Sequence, residues 1–382
     1  MRVVFAITPG HGHVYPTLPL ADALRRAGHT TTYAMIDAAP LRAAIEERGH
    51  RFVTLPPSQA EQQARFAEAW ADLARLGPEQ LEVRGLARLF VPLVEPSLDP
   101  LVALLRDDGA DLVVHELTAF AGPLAAAMCA IPSVNHGTGF GFAASARGAG
   151  DAMAAAWRAR DLEPDAMAGI YRTLHLEVFP PSLPNPILEV LDPARVRRVR
   201  PVALRSPSAL VPPAPSRPRV VATLGTVFDD DPAAWAAIDA GLDRLGAAVD
   251  VVVLRPGGSF VPLGDVVDGA AVVVAHGGAG TVLAALAAGA PLVLLPRGAD
   301  QWNVAEAAVA CGAASVVRPE APAVEAGVRV ALDGALTEGA ARVGREIEAM
   351  PAPADLVEVL EAVARRGPGW QSVSSGHGPA TS

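Results

Sequence analysis

The stretch VVVAHGGAGTVLAALAAG at residues 272–289 constrains the fold more than any other part of the chain. An apolar strand leads through a His-Gly-Gly-x-Gly-Thr turn into an alanine-rich helix, and a second apolar run, PLVLLP (291–296), follows. A helix that begins on glycines presents unpaired backbone N–H groups and the positive end of its dipole, which suits a phosphate. The order of these segments predicts a doubly wound α/β domain that binds a diphosphate.

Strand and helix patterns alternate along the whole chain. Helical patterns at 17–28 and 118–130 lie between short apolar runs that are typical of buried parallel strands. The runs cover residues 2–7, 30–35, 111–115 and 131–136, and then 219–225, 249–255, 270–276 and 291–296. This alternation predicts an α/β protein with two parallel-sheet domains and a ligand cleft between them.

A proline-rich segment divides the two halves. Residues 205–218, RSPSALVPPAPSRP, contain five prolines and predict a linker. The expected organisation is therefore an N-terminal domain over 1–204 and a C-terminal domain over 219–352. An amphipathic helix follows at 353–366, and the Ser-, Gly- and Pro-rich tail at 367–382 is expected to be disordered.

Composition excludes several classes of function. The chain has no lysine, which the P-loop of nucleotide hydrolases requires, and its net charge of −10 argues against nucleic acid as a partner.

Cys129 and Cys311 lie in apolar surroundings and predict buried thiols rather than a disulfide. No apolar run is long enough to span a bilayer, so we expect a cytoplasmic protein without a transmembrane segment.

Four motifs in order carry a family resemblance. They are GHGHVYPTLPLADALRRAGH near the N-terminus, TLGT at the end of the run 219–225, HGGAGT, and GADQWN. Together they resemble the family 1 glycosyltransferases, within these the bacterial enzymes that modify macrolides, aromatic polyketides and enediynes. The resemblance covers roughly residues 1–365. It implies the GT-B fold, in which two Rossmann-like domains face a cleft, the first binding the acceptor and the second the nucleotide sugar. It also implies that helix 353–366 crosses back to the first domain.

Two residues are candidates for catalysis. His13 follows the first strand, and a near-neutral imidazole can take a proton from an acceptor hydroxyl. The resemblance assigns this general-base role to His13 and leaves His11 structural. Glu116 stands where the family has an acid that orients the base, often an aspartate. It is one methylene longer, and the alternative is that Glu116 only caps helix 118–130.

The resemblance assigns the donor site to the second half. His276 is expected against the α-phosphate, and three glycines let the backbone approach. Asp300 and Gln301 suit the hydroxyls of a hexose. Phe260 is expected near the nucleobase, where stacking on a pyrimidine and core packing both remain open. The candidate donor residues are Thr226, Phe260, His276, Gly277, Gly278, Gly280, Thr281, Asp300 and Gln301.

The acceptor is expected to be a hydrophobic natural product. Aromatic residues from the regions that form the acceptor pocket in the family are the candidates, although ordinary core packing explains most residues of this kind. They are Trp70, Phe90, Phe140 and Phe142. Trp302, which directly follows Gln301, is a further candidate that flanks the pocket and is placed to contact either donor or acceptor. Asp231 is predicted to be a helix N-cap rather than part of a metal site, and neither a metal nor a cofactor is expected.

The predicted activity is inverting, metal-independent transfer of a sugar, a deoxyhexose by resemblance, from a dTDP- or UDP-sugar. A nicotinamide-dependent oxidoreductase is an alternative, because Asp300 lies twenty residues after Gly280, where such enzymes place a ribose-binding acid. Against it, Leu283 replaces the third glycine of that motif. A non-catalytic auxiliary homologue is a further alternative. Transfer to oxygen, carbon or nitrogen remains open, and a homodimer is compatible with the resemblance.

Overall fold

A computed structural model describes residues 1–206, 216–226, 231–255 and 261–367. Most of the predicted linker, Phe260 and the predicted disordered tail from residue 368 onward lie outside the described residues. Within the described ranges the chain forms two separate parallel β-sheets with helices on both faces. This confirms the predicted α/β class with two Rossmann-like halves.

The first sheet has the strand order β3-β2-β1-β4-β5-β6-β7. Apolar residues bury its central strands on both faces, as in β1, where four of the five residues are buried. The strands are β1 (Arg2–Ala6), β2 (Thr30–Met35), β3 (Arg51–Thr54), β4 (Leu112–His115), β5 (Ser133–His136), β6 (Leu174–Glu177) and β7 (Val196–Arg198).

Helices connect these strands and form the wall of a cleft above the sheet. They are α1 (His11–Val14), α2 (Leu18–Arg26), α3 (Ala39–Glu46), α4 (Gln59–Leu73), α5 (Pro78–Phe90), α6 (Val94–Asp107), α7 (Ala121–Met128) and α8 (Ala143–Arg158). The predicted helices at 17–28 and 118–130 correspond to α2 and α7. The connection between β1 and α2 contains the short helix α1, which carries His13.

The second sheet has the order β12-β11-β10-β8-β9. Its strands are β8 (Arg219–Thr223), β9 (Asp250–Leu254), β10 (Ala270–Ala275), β11 (Leu292–Leu294) and β12 (Ala314–Val316). Its helices and the last helix of the chain are α9 (Pro232–Asp243), α10 (Ala279–Ala287), α11 (Gln301–Ala310), α12 (Ala321–Leu332), α13 (Thr337–Glu348) and α14 (Val357–Arg366).

Each sheet has one point where the strand order reverses. In the first sheet the chain runs outward from β1 to β3 and then returns to place β4 on the other side of β1. In the second sheet the corresponding point lies between β8 and β10. Ligands of open α/β sheets bind at the carboxyl ends of the strands at such points. The loops after β1, β4, β8 and β10 are therefore the places where a site is expected.

The two halves are joined by direct contacts as well as by the chain. Helix α14 returns to the first half, where Glu361 lies 3.0 Å from Nε2 of His29. Helix α13 also contacts the first half, since the Glu346 carboxylate accepts from the Ser182 backbone at 2.9 Å. The Cys311 thiol donates to the Ser182 carbonyl. These contacts fix the second sheet relative to the first.

Both cysteines are free thiols, and Cys311 is buried as predicted. Cys129, which was predicted to be buried, is only half-buried, because it is the C-cap residue of α7 and lies at the end of that helix. Among the described residues no helix is long and apolar enough to cross a membrane.

Candidate active site

The carboxyl ends of the two sheets face each other across a cleft of about 2040 Å³. The four loops at the reversal points all contribute to it. His13 follows β1, Thr118 follows β4, Thr226 follows β8, and His276 follows β10. The cleft therefore joins the two points at which each sheet is expected to bind a ligand.

His13 and Glu116 are in direct contact on the first wall of the cleft. Nδ1 of His13 lies 2.9 Å from Oε2 of Glu116, and the His13 side chain remains 29% exposed to the cleft. The Glu116 carboxylate is fully buried and also accepts from the backbone N–H groups of Thr8 (3.2 Å) and Thr118 (2.9 Å). Glu116 thus holds both His13 and the turn before α7. It does not cap that helix, because the N-cap residue is Phe120 and no side chain in the described part of the chain bonds to the first turn.

This pairing changes the proton affinities of both groups. Burial would lower the pKa of His13, but the nearby Glu116 carboxylate outweighs it and raises the pKa above its usual value. Burial would raise the pKa of Glu116, yet the His13 ring and the Thr118 hydrogen bonds hold it at about 2. Glu116 is therefore ionised at neutral pH. It fixes the His13 proton on Nδ1 and leaves Nε2 as the basic nitrogen.

The glycine turn, residues 276–281, lies on the opposite wall. Gly278 is the N-cap of α10, and within the described part of the chain no side chain caps this helix. Gly278, Ala279, Gly280 and Thr281 line the cleft, so the first N–H groups of α10 are available to a ligand there. This is the geometry that binds anions at helix N-termini.

His276 is held between two glycines. A Cβ atom at Gly278 would lie 2.3 Å from its Nε2, and one at Gly225 would lie 2.5 Å from its Cε1. His276 is buried, and its Nδ1 has no hydrogen-bond partner among the described residues. Burial, together with the nearby Arg297 cation, lowers the pKa of His276 to about 4. The ring is therefore neutral at physiological pH.

Gly277 differs from the expectation. It is buried and does not line the cleft, so it cannot allow a ligand to approach. A glycine is needed because its φ is +90° and because a Cβ would lie 3.0 Å from the Gln301 carbonyl oxygen. Gly277 therefore shapes the turn.

Gly278 and Gly280 provide a matched test of this packing. The Gly278→Ala substitution should destabilise the protein by about 1–3 kcal/mol, because the methyl group displaces His276. Gly280→Ala should leave stability unchanged or raise it by about 0.5–1 kcal/mol, since a Cβ there meets no atom within 4 Å. Urea unfolding followed by circular dichroism compares the two. Equal stability of both variants would contradict the described position of His276.

Asp300 and Gln301 lie in the cleft, but part of their hydrogen-bonding capacity is already used. Oδ2 of Asp300 accepts from the Phe140 N–H at 2.9 Å, across the two halves of the chain. Oε1 of Gln301 accepts from the Arg297 N–H at 2.9 Å, which leaves only its amide N–H groups for a sugar. Burial raises the pKa of Asp300, and the Phe140 N–H and His13 partly offset this.

The remaining donor candidate within the described residues is Thr226, which is exposed in the cleft. Asp231 caps α9 as predicted, with its Oδ1 2.9 Å from the Ala234 N–H and Pro232 in the first turn. No group of three or more potential metal ligands occurs in the described ranges.

The five aromatic acceptor candidates all line the cleft. Trp70 and Trp302 are 46% and 50% exposed, which is unusual for tryptophan and leaves both available to an apolar ligand. Phe140 differs, because it is buried and its ring packs on Phe179 with the centroids 4.5 Å apart. Its contribution to the cleft is its backbone N–H, which holds Asp300.

Sequence reasoning missed Arg297, which lines the cleft directly after β11. The signal was available, because a basic residue at the carboxyl end of a strand next to a glycine turn is a candidate anion ligand. Its ion pair with Asp231, at 2.5 Å, joins residues far apart in sequence and could not be read from spacing.

Comparison with known proteins agrees with this arrangement. Residues 14–191 match the N-terminal domain of the erythromycin biosynthesis protein CIII-like family, and residues 236–363 match its C-terminal domain. The chain is 30% identical to the elloramycin glycosyltransferase ElmGT of Streptomyces olivaceus, over 94% of this chain and 97% of that protein. It is 28% identical to the tylactone mycaminosyltransferase of Streptomyces fradiae, over 94% and 92% of the two chains.

Solved structures that match this chain are also glycosyltransferases. The glycosyltransferase SsfS6 of Streptomyces sp. SF2575, crystallised with thymidine diphosphate, matches with a TM-score of 0.75 and 26% identity. The match covers 95% of this chain and 99% of that one. The calicheamicin glycosyltransferase CalG4 matches with a TM-score of 0.74 and 26% identity, over 96% and 98% of the two chains.

Proposed function

The chain belongs to the erythromycin biosynthesis protein CIII-like family of natural-product glycosyltransferases, and we propose that it transfers a deoxyhexose from a dTDP- or UDP-sugar to a hydrophobic natural product. Relatives along the whole chain are glycosyltransferases, and one was crystallised with a nucleoside diphosphate. The alternative of a nicotinamide-dependent oxidoreductase is therefore excluded. The identity of the donor, the acceptor and the catalytic residues is the proposed part.

One observation carries the proposal. A histidine paired with a buried carboxylate lies on one wall of the cleft, and an uncapped helix N-terminus lies on the other. The Phe140 N–H on the first wall donates to Asp300, which lies beside that helix, so the two walls are in contact at this residue. A proton acceptor opposite an anion-binding turn is the arrangement that displacement of a diphosphate by a hydroxyl requires.

The proposed reaction is a single displacement. Nε2 of His13 takes the proton of the acceptor hydroxyl as that oxygen attacks C1 of the sugar. The new oxygen–carbon bond forms as the bond between C1 and the diphosphate oxygen breaks, and the diphosphate leaves with the electron pair. Attack opposite to the leaving group inverts the configuration at C1. Glu116 stabilises the imidazolium that forms at His13.

The diphosphate is proposed to bind at the glycine turn without a resident metal or cofactor. Negative charge grows on the leaving diphosphate, so backbone N–H groups already directed at it stabilise the transition state more than the ground state. The neutral His276 ring can donate one further hydrogen bond. Asp300 and the Gln301 amide are proposed to bind the sugar hydroxyls.

The acceptor is proposed to bind on the first wall, between α4, α5 and α8. Trp70, Phe90 and Phe142 line this part of the cleft together with leucines of α5. A ligand there would bury mainly apolar surface, which favours a polycyclic or macrocyclic compound over a sugar or a peptide.

Nucleotide binding is the direct test of the proposed donor. The midpoint of thermal unfolding should rise with dTDP or UDP and rise less with GDP, because a ligand stabilises in proportion to ln(1 + [L]/Kd). At a hundredfold excess over Kd the gain is about 2.7 kcal/mol. Thymidine and uridine, which lack the diphosphate, serve as controls and should give smaller shifts. No shift with any of the three diphosphates would contradict the proposed function.

A further inference from the structure

We propose that Arg297 binds the diphosphate of the donor as its principal cation and that Asp231 positions the guanidinium for this role. The inference rests on the proposed function, since it presupposes that the cleft holds a nucleoside diphosphate. It assigns the anion site a charged residue in addition to the helix N-terminus and His276.

The strand order brings Arg297 to the glycine turn. Arg297 follows β11 and Asp231 lies in the connection after β8, while β10 lies between these two strands. The ion pair between Arg297 and Asp231, with an N···O distance of 2.5 Å, must therefore cross the carboxyl end of β10. His276 and the glycine turn begin at that end. The guanidinium consequently lies beside the place proposed for the diphosphate.

The contacts of Arg297 leave part of its side chain without a partner. Its Nε is buried and makes no hydrogen bond within the described ranges. A buried donor without a partner destabilises the protein, and a ligand that accepts a hydrogen bond from it removes that penalty. Nδ1 of His276 is a second buried polar atom without a partner among the described residues. Two such atoms at one end of β10 indicate that a polar ligand belongs there.

The backbone and the partner of Arg297 are both held in place. The side-chain amide oxygen Oε1 of Gln301 accepts from the backbone N–H groups of Arg297 (2.9 Å) and Gly298 (3.3 Å). One Asp231 oxygen caps α9, and the other pairs with Arg297. The guanidinium is thus fixed before a ligand arrives, which reduces the entropy lost on binding.

The charge at the site requires such a residue. Each phosphate of the donor carries a negative charge, and another develops as the sugar leaves. His276 is neutral, because its pKa is about 4, and a helix N-terminus supplies only about half a positive charge. Arg255, another arginine of the cleft, lies at the end of β9 on the far side of β8 and pairs with Asp239. Arg297 is closer to the glycine turn.

Calorimetric titration of Arg297→Gln with dTDP and with thymidine tests the inference. We expect dTDP to bind about 10–100-fold more weakly than to the wild type, because charge-assisted hydrogen bonds are lost. Thymidine should bind unchanged, since it has no phosphate. Arg297→Lys should recover part of the dTDP affinity. Arg255→Gln, which removes a cleft arginine paired with an aspartate in the same way, should change neither affinity.

The outcomes separate this inference from the proposed function. Failure of the wild type to bind dTDP or UDP contradicts both. Wild-type binding combined with unchanged dTDP affinity in Arg297→Gln overturns the role of Arg297 alone. An equal loss of dTDP and thymidine affinity also overturns it, because Arg297 would then only maintain the fold of the site. If UDP is the tighter ligand, UDP and uridine replace the thymidine pair.

Discussion

Substitution of His13 by alanine is expected to lower kcat by about 10²–10⁴-fold, the usual contribution of a general base. The affinity for dTDP should stay within a few-fold of the wild-type value, because His13 acts on the acceptor hydroxyl and not on the diphosphate. Steady-state kinetics with a dTDP-hexose and a hydroxylated aromatic polyketide that the wild type accepts measures kcat. Calorimetric titration measures the affinity for dTDP.

His11 provides the matched control for His13. It lies two residues earlier in α1 and also lines the cleft, but it is not the partner of Glu116. His11→Ala should therefore change kcat by only a few-fold. Similar losses for both variants would mean that α1 merely supports the cleft. Wild-type turnover by His13→Ala would exclude His13 as the base.

Substitution of Glu116 by glutamine should have the second largest effect on kcat, a loss of about 10²-fold or more. The carboxylate holds the His13 proton on Nδ1 and stabilises the imidazolium that forms there. A neutral amide can still accept from Nδ1, but it stabilises the imidazolium poorly. An amide N–H would also face the Thr8 N–H, which donates to Glu116 in the wild type. Because Glu116 contacts His13 and not the glycine turn, the loss should appear in kcat more than in the affinity for dTDP.

The pH dependence of the same variant gives an independent readout. In the wild type the Glu116 carboxylate raises the pKa of His13, so kcat/KM should rise with pH as His13 loses its proton. Without that charge the pKa of His13 falls, and the acid limb of the Glu116→Gln profile should move to lower pH. Glu116→Asp keeps the charge and should keep the limb nearer its wild-type position. An unchanged limb in Glu116→Gln would show that the observed titration is not that of His13.

The sequence predicted the parts of the site that lie within single β/α connections. The glycine turn and the α9 cap follow from local rules about glycine and aspartate at helix ends. The position of His13 after β1 follows from the motif and from the strand pattern. Local spacing was sufficient because each of these features involves residues close together in the chain.

Contacts between distant residues were not predictable in this way. The bond from the Phe140 N–H to Asp300 joins the two halves, and the ion pair of Arg297 with Asp231 crosses a strand. Both depend on strand order and on the placement of the two sheets, which no local pattern encodes. The edge strand β7 was also missed. It has only three residues, two of them arginines, and so lacks the apolar run of a buried strand.

The anomeric configuration of the product tests the central claim most directly. The wild-type enzyme is incubated with a dTDP-α-D-deoxyhexose and the accepted polyketide, and the configuration at C1 is read from the coupling constant between H1 and H2 of the purified glycoside. A single displacement assisted by His13 predicts the β-glycoside. An α-glycoside would contradict the account, because retention needs a second displacement or attack on the same face, and His13 acting as a base supplies neither.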